Sequence, residues 1–170
     1  MISVLLNNVT GSFKQIFKSR SEKQVTSGSV GKGYKEEGFN LKSASFLIVD
    51  DDAFAKFVFA KYVERWNGKV EIANSGAEAI ERLKSKKYDV VLMDIEMPGM
   101  DGIEATKQIR QLEGIYYQKV PVLAVTSLSP EVMKAKLAAA GMDDCISKEI
   151  PPAELYTRLT YFLSRSKNIY

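Results

Sequence analysis

Short apolar runs alternate with longer segments of helical period through most of the chain. The runs that predict buried strands are 46–49, 69–73, 88–93, 120–125 and 144–147. The segments in which apolar residues recur every three or four positions, as in amphipathic helices, are 53–66, 75–84, 102–112, 130–140 and 152–164. Five strands that alternate with five helices predict a parallel sheet with helices on both faces.

The ends of several predicted helices carry recognisable signals. The first helix contains Phe54, Phe57 and Phe59 at helical spacing, and Gly68 follows it as a stop signal. Ser75 is a candidate cap for the second helix, with Glu78 placed to bond back to it. These signals agree with the boundaries that the apolar pattern gives.

The alternating region has the size and order of one domain. About 120 residues of this pattern suit a flavodoxin-like, doubly wound α/β domain with strand order 2-1-3-4-5. We expect the domain to cover residues 45–165, with a short tail at 166–170 and an N-terminal extension ahead of it.

The extension divides into two parts. Residues 19–44 are rich in Ser, Gly, Lys and Glu, which predicts a flexible basic linker. Residues 1–18 place apolar side chains at helical spacing but contain helix-weakening residues. The segment is therefore either a marginal arm or an amphipathic helix that docks on a partner or an anionic membrane surface, and its basic, acid-free composition also loosely suits a transit peptide.

Composition excludes several classes of site and of partner. The chain has no histidine, so an imidazole zinc site and a Ser-His or Cys-His nucleophile are impossible. Its single cysteine, Cys145, fits a reducing compartment, and we expect a cytoplasmic protein without a spanning helix or a secretory signal. The net charge of +3 comes from residues 1–43, since the rest of the chain is close to neutral. We therefore expect no nucleic-acid surface.

Polar side chains follow four of the predicted strands. They are Asp50-Asp51-Asp52, Asp94, Thr126-Ser127 and Lys148. Because the carboxyl ends of parallel strands meet at one edge of a sheet, we expect these side chains to lie together. Each has an ordinary explanation alone, as a helix cap, a structural hydroxyl or a solvated lysine. Clustered carboxylates, however, repel one another unless a cation neutralises them, and Mg²⁺ prefers oxygen ligands.

This set of groups would suit phosphoryl transfer. Asp94 would be an oxygen nucleophile that forms an aspartyl phosphate. Lys148 would meet one phosphoryl oxygen as a point charge, and Thr126 would donate a hydrogen bond to another. Pro98, Gly99 and Gly102 predict a tight turn that leaves Asp94 open to a donor.

The motifs F-L-I-V-D-D-D, V-V-L-M-D-I-E-M-P-G-M-D-G, V-L-A-V-T-S and D-D-C-I-S-K occur in this order along residues 44–164. This stretch resembles the receiver domain of bacterial-type response regulators. The resemblance implies that Asp94 is the phosphoacceptor and that Asp50 and Asp51 are the acidic pair for Mg²⁺. It also implies that the backbone carbonyl of Glu96 is a metal ligand. Thr126 would be the switch hydroxyl, and Lys148 would be the phosphate-binding lysine. Asp52 stands where the family often has Asn, and we assign it no catalytic role.

The resemblance also implies partners. The phosphoryl donor would be a phosphohistidine on another chain, in a histidine kinase or a histidine phosphotransfer protein, and the output would be contact with a further protein. We expect no effector domain after the last helix and no separate enzymatic activity beyond the domain's own phosphorylation and dephosphorylation.

Three positions depart from the family pattern. Lys148 is followed by Glu149, where the family usually has a cis proline. A cis bond before Glu149 would cost about 3 kcal/mol, so we expect this loop to be trans or strained. Cys145 replaces the aromatic residue whose inward rotation accompanies movement of the threonine. Glu96 places a charged side chain close to the expected phosphoryl site.

These departures leave alternatives open. The chain would also suit a receiver-like interaction module that works without phosphorylation, or the receiver portion of a hybrid histidine kinase. An aspartate-nucleophile hydrolase with Glu96 as general acid is a more distant third, because the acidic pair after the first strand fits a receiver better.

Overall fold

The computed structural model describes residues 40–128 and 130–166, except for the side chains of 130, 131 and 166. The strands are β1 (Ser45–Val49), β2 (Lys69–Ala73), β3 (Val90–Asp94), β4 (Val122–Thr126) and β5 (Asp144–Ser147). The helices are α1 (Ala53–Arg65), α2 (Gly76–Ser85), α3 (Gly102–Gln111), α4 (Ile115–Lys119), α5 (Pro130–Ala139) and α6 (Pro152–Ser166). The sheet has the order β2-β1-β3-β4-β5 with every neighbouring pair parallel, which confirms the predicted fold class and order.

The sheet is buried because its strands are apolar on both faces. Every residue of β3 and β4 is buried. On one face, alternate strand residues such as Leu47 and Met93 join a core with the inner sides of α2 to α5. The intervening residues, such as Ile48 and Leu92, are also fully buried, and α1 and α6 contact the sheet as well. Continuous apolar strands of this kind require cover on both sides, as the sequence predicted.

Helix α4 is an element that the sequence did not predict. It contains five residues, too few to show a helical period. Its Tyr116 is buried, and the Tyr116 hydroxyl accepts a 2.7 Å hydrogen bond from the amide of Tyr88, just before β3. The short helix therefore packs next to the amino-terminal end of β3.

Two helix ends differ in detail from the prediction. The left-handed residue after α1 is Asn67, with φ of 61°, and not Gly68. Gly68 is needed for a different reason, because a Cβ there would lie 2.5 Å from Cγ1 of Val63. At α2, Ser75 caps the amide of Glu78 as predicted, but the Glu78 carboxylate accepts from the amide of Asn74 instead of that of Ser75.

Helix α1 reverses part of its predicted amphipathic pattern. Phe54 and Phe57 are 51% and 48% exposed, although their spacing placed them with the core residue Phe59. Lys56, in contrast, is only 8% exposed. A buried charged residue beside two aromatic residues that face solvent indicates that a constraint other than core packing sets the orientation of this helix.

Residues 40–44, the described part of the predicted linker 19–44, make contacts with the domain. Leu41 is 2% exposed, and its amide bonds to the carbonyl of Trp66. The amide of Asn40 bonds to the hydroxyl of Tyr156 at 2.8 Å. The one large aliphatic side chain of this stretch is therefore buried, although its neighbours in sequence are mostly polar. The arm at 1–18 and residues 19–39 of the linker lie outside the described residues, as does most of the predicted tail, 167–170.

In the part of the chain that the structure describes, none of the helices has the length and apolar character needed to cross a bilayer.

Arg110 connects three segments at the amino-terminal end of β4. Its guanidinium donates to the carbonyls of Gly141 and Tyr117 and pairs with Asp143 at 2.9 Å. The same carboxylate oxygen of Asp143 accepts the amide of Val122, the first residue of β4. Only 16% of the Arg110 side chain is exposed, so these bonds form in a largely desolvated place.

We predict that Arg110→Met lowers the free energy of unfolding by about 2 kcal/mol, because it removes the donor of two carbonyls and the cation beside the Asp143 carboxylate. Urea unfolding followed by circular dichroism measures the change. Lys107→Met is the matched control, since Lys107 is exposed on the same helix and should change stability by less than about 0.5 kcal/mol. Equal losses in the two variants would contradict the role given to Arg110.

Candidate functional site

Three carboxylates meet at the carboxyl-terminal edge of the sheet. Asp50 directly follows β1, Asp51 is the next residue, and Asp94 is the last residue of β3. One oxygen from each can be chosen so that all lie within 4.8 Å of one another. Asp50 and Asp94 are 3% and 2% exposed, while Asp51 faces solvent. The parallel alignment of β1 and β3 is what brings these residues together.

Lys148 joins the two buried carboxylates. It follows β5, and its Nζ lies 2.9 Å from Oδ2 of Asp50 and 2.9 Å from Oδ2 of Asp94. One ammonium thus compensates two acids from two other strands. The site therefore contains the predicted lysine in direct contact with the predicted nucleophile.

The surroundings shift the pKa values of Asp94 and Lys148. Burial, together with the charge of Asp50, raises the pKa of the Asp94 carboxyl, although the hydrogen bond from Lys148 opposes this. Burial alone would lower the pKa of the Lys148 ammonium, but its bonds to the two carboxylates outweigh that effect and raise it. Asp94 is thus a carboxylate whose negative charge is poorly solvated and needs cationic partners.

Asp52 has a structural role. Its side chain caps α1 by accepting the amide of Phe54 at 2.8 Å. Its own amide donates to Oδ1 of Asp50 at 2.8 Å, which fixes the orientation of that buried carboxylate. The second carboxylate oxygen of Asp50 then faces Lys148.

The turn after Asp94 depends on glycine at two places. Gly99 has φ of +79°, a left-handed conformation that favours glycine. At Gly102, a Cβ would lie 2.0 Å from the carbonyl oxygen of Asp94, so α3 can start against β3 only with glycine there. The amide of Glu96 approaches Oδ1 of Asp94 at 3.3 Å, and the Glu96 residue is exposed. The turn leaves the Asp94 carboxylate bordered by main-chain atoms on this side.

Thr126 lies at the end of β4, fully buried, on the strand between Asp94 and β5. Its hydroxyl oxygen accepts the amide of Leu128 at 3.0 Å, and its carbonyl accepts the amide of Lys148 at 2.9 Å. Thr126 thus contacts both the loop that leads to α5 and Lys148, the residue that pairs with the two buried carboxylates. Ser127, next to it, is exposed.

The two unusual positions near Lys148 have ordinary geometry. Among the described residues no peptide bond is cis, so the bond between Lys148 and Glu149 is trans. The loop is held by the amides of Glu149 and Ile150, which both bond to Ser147. Cys145 is 8% exposed and belongs to the core under α5.

A buried lysine on α1 belongs to the surroundings of this site and was not predicted. Nζ of Lys56 lies 2.7 Å from Oδ1 of Asn74 and 3.4 Å from the main-chain carbonyl oxygen of Asp51. The sequence signal was present but ambiguous, because a lysine among three phenylalanines usually faces solvent.

The acid cluster fits a hard divalent cation. Its donors are all oxygen atoms, two of them on carboxylates that are buried and share a single ammonium. Mg²⁺ prefers such donors, binds through one or two carboxylates and keeps several waters. The exposed Asp51 leaves one side of the cluster open for such waters.

Comparisons with known proteins identify the family of the chain. The sequence model of the response regulator receiver domain matches residues 46–160. The transcriptional regulatory protein ResD of Bacillus subtilis is 35% identical over 120 residues, which are 71% of this chain and 48% of that protein. The signal transduction histidine-protein kinase BarA of Escherichia coli is 39% identical over 113 residues, 66% of this chain and 12% of that protein. The chain therefore spans about half or less of these relatives.

A solved structure shows the same fold. The receiver domain of the sensor histidine kinase PA1611 from Pseudomonas aeruginosa has a TM-score of 0.66 and 27% identity, with 72% of this chain and 98% of that chain covered. That structure contains a magnesium ion coordinated in its active site cleft. The chemotaxis protein CheY4 of Vibrio cholerae is similar at a TM-score of 0.65 and 27% identity, over 70% of this chain and 98% of that one.

We predict that Asp94→Asn stabilises the metal-free protein at pH 7 by roughly 1 kcal/mol. Because the pKa of Asp94 is raised on folding, the wild type loses stability as the pH rises from the ordinary value of 3.8 through the folded value. Asparagine does not ionise, so the difference should be present at pH 7 and vanish below about pH 4.

Urea unfolding in EDTA at several pH values measures this difference. A variant that is less stable than the wild type at pH 7, or a gain that persists unchanged at pH 3, would contradict the assigned cause.

Proposed function

The chain belongs to the response regulator receiver domain family of two-component signalling, and from that membership we propose that it accepts a phosphoryl group on Asp94. The observation that carries the proposal is the contact of Lys148 with both Asp50 and Asp94. It places a cation against a poorly solvated carboxylate at the edge of the sheet where a donor would approach. We propose no separate enzymatic activity beyond this self-phosphorylation and its reversal.

In this mechanism a carboxylate oxygen of Asp94 attacks the phosphorus of a phosphohistidine. The new P–O bond forms as the P–N bond breaks, and the imidazole nitrogen leaves with the electron pair. Lys148 is already beside Asp94 and would bind one of the phosphoryl oxygens as charge develops there. Its second contact, to Asp50, would keep it in place when the Asp94 carboxylate becomes an acyl phosphate.

Asp50, Asp51 and Asp94 would hold Mg²⁺, with the main-chain carbonyl of Glu96 as a further ligand. When bound, Mg²⁺ supplies positive charge that offsets the carboxylates and the incoming phosphoryl group. The magnesium ion in the PA1611 receiver supports this assignment by similarity.

Thr126 would connect phosphorylation to the surface. To donate to a phosphoryl oxygen, its hydroxyl would turn toward Asp94 and give up the amide of Leu128. Leu128 belongs to the loop that enters α5, so release of that bond would change the loop and the start of the helix. A local electrostatic event would thus alter the surface that an output protein contacts.

The donor lies outside this sequence, because the chain contains no histidine. We propose a histidine kinase or a histidine phosphotransfer protein, and we expect the exchange in the cytoplasm, a reducing compartment that suits Cys145. The exposed aromatic residues Phe54 and Phe57 supply an apolar contact surface, since α1 starts directly after the acidic residues. The output partner is a further protein.

Two alternatives keep the same fold. The similarity to part of BarA supports a receiver portion of a hybrid histidine kinase, for which the chemistry at Asp94 would be unchanged. A module that works without phosphorylation is favoured by Cys145 and Glu149, the residues that replace the usual aromatic and proline. The complete set of acids around Lys148 favours the phosphorylated form.

We predict that the protein gains the mass of one phosphoryl group when it is incubated with Mg²⁺ and acetyl phosphate, and that Asp94→Asn abolishes this gain. Intact-protein mass spectrometry measures the adduct. Asp52→Asn is the matched control, because asparagine also caps helices and Asp52 has a structural role, so it should still be phosphorylated. An adduct that survives in Asp94→Asn would refute the assignment, and no adduct on the wild type would favour the phosphorylation-independent module.

A second prediction concerns the donor surface. Phe57→Ala should slow phosphoryl transfer from a phosphorylated histidine donor by roughly tenfold or more, because an exposed aromatic anchor in a protein interface is worth over 1 kcal/mol. The rate with acetyl phosphate should not change, since a small donor needs no protein contact. Tyr161→Ala is the control, as Tyr161 is similarly exposed but lies on α6. Equal slowing with both donors would show that Phe57 acts on the site itself.

A further inference from the structure

Lys56 occupies an unusual place for a lysine. It is 8% exposed, and the two acceptors of its ammonium, Oδ1 of Asn74 at 2.7 Å and the carbonyl oxygen of Asp51 at 3.4 Å, are both neutral. A buried ammonium is costly and usually meets a carboxylate directly. Here it is bonded to the main chain of an acidic residue while Phe54 and Phe57, its apolar neighbours on α1, face solvent.

Asn74 is a fixed anchor for this ammonium. Its main-chain amide and its side-chain Nδ2 both donate to Oε2 of Glu78, at 2.8 and 3.0 Å. Because Nδ2 faces that carboxylate, Oδ1 faces Lys56. Glu78 is held in turn by Arg82 at 2.9 Å, and its bond from the Asn74 amide lowers the pKa of the Glu78 carboxyl, which keeps the acceptor ionised.

The result is a connection between two loops at the same edge of the sheet. Asn74 follows β2, which is an edge strand, and Asp51 follows β1, its neighbour. Lys148 fixes the two buried acids through their carboxylates, whereas Lys56 fixes the exposed acid, Asp51, through its main chain. Between them the two lysines contact all three acidic residues.

We propose that Lys56, anchored by Asn74, is a positioning residue that holds Asp51 in place for divalent cation binding. This inference rests on the proposed function, because it concerns the same acid cluster. A carboxylate on a loop that is already ordered binds without the cost of ordering that loop, which raises affinity. The positive charge of Lys56 acts in the opposite direction, since it repels a cation, so the sign of the effect in a neutral variant separates positioning from charge.

The test measures Mg²⁺ binding by isothermal titration calorimetry in the full chain. Lys56→Met removes the ammonium and keeps the apolar stem, while Asn74→Ala removes the anchor and keeps the charge. We expect each to raise the Kd for Mg²⁺ by roughly tenfold, as is typical when an outer partner of a metal ligand is lost. The double variant should show no further weakening, because both changes break one connection. Lys61→Met, an exposed lysine on the same helix, should bind Mg²⁺ as the wild type does.

Two further measurements complement the calorimetry. In EDTA, hydrogen exchange of the amides of residues 51–53 should be faster in Lys56→Met and in Asn74→Ala than in the wild type. Phosphorylation by acetyl phosphate should need more Mg²⁺ to reach half its maximal rate, with the maximal rate unchanged. Since Asn74 is exposed, Asn74→Ala gives the answer even if Lys56→Met fails to fold.

The outcomes are separable. An unchanged or lower Kd in both variants, with normal binding by the wild type, would overturn the role of Lys56 and leave the proposed function standing. Additive weakening in the double variant would overturn the shared connection. If the wild type binds no Mg²⁺ at all, the proposed cation site and this inference both fail.

Discussion

The ammonium of Lys148 lies between two buried carboxylates, and the rest of the structure is arranged so that this contact can form. Asp50 and Asp94 come from adjacent parallel strands, and Lys148 comes from the edge strand two positions beyond Asp94. Buried like charges are unstable without a counter-charge, so the three strand ends must be held in a fixed arrangement. The apolar, doubly covered sheet supplies that rigidity.

The fold could be predicted because each strand is a continuous apolar run and each helix has its own period. What could not be predicted were features without a local pattern. Helix α4 is too short to show a period, and its position depends on the Tyr116 hydroxyl at the start of β3. Leu41 is buried, and its amide bonds to the carbonyl of Trp66, which is distant in sequence, so composition alone predicted a linker there.

The acidic residues and Lys148 could be predicted because strand ends in a parallel sheet share an edge, so their order along the chain gives their position in space. Lys56 and Asn74 escaped that reasoning. Lys56 lies on the buried face of α1, whereas the aromatic residues of that helix suggested that this face would point to solvent. The anchor of Lys56 is a side-chain amide on another loop. Contacts of this kind leave no periodic signal. They appear instead as a local departure from the usual burial pattern, here a buried charge beside exposed aromatic rings. Such departures are typical of sites under a functional constraint.

In the proposed mechanism, the departures at Glu149 and Cys145 would affect transmission more than chemistry. The trans loop at Glu149 still presents Lys148 to both acids, held by bonds to Ser147. Cys145, in contrast, belongs to the core under α5 and would offer no ring to rotate if Thr126 moved. In the proposed mechanism, the bond between the Thr126 hydroxyl and the Leu128 amide therefore carries more of the coupling. A main-chain contact of this kind acts on the loop before α5 directly, so the conformational change would be concentrated at that loop and spread less across β5.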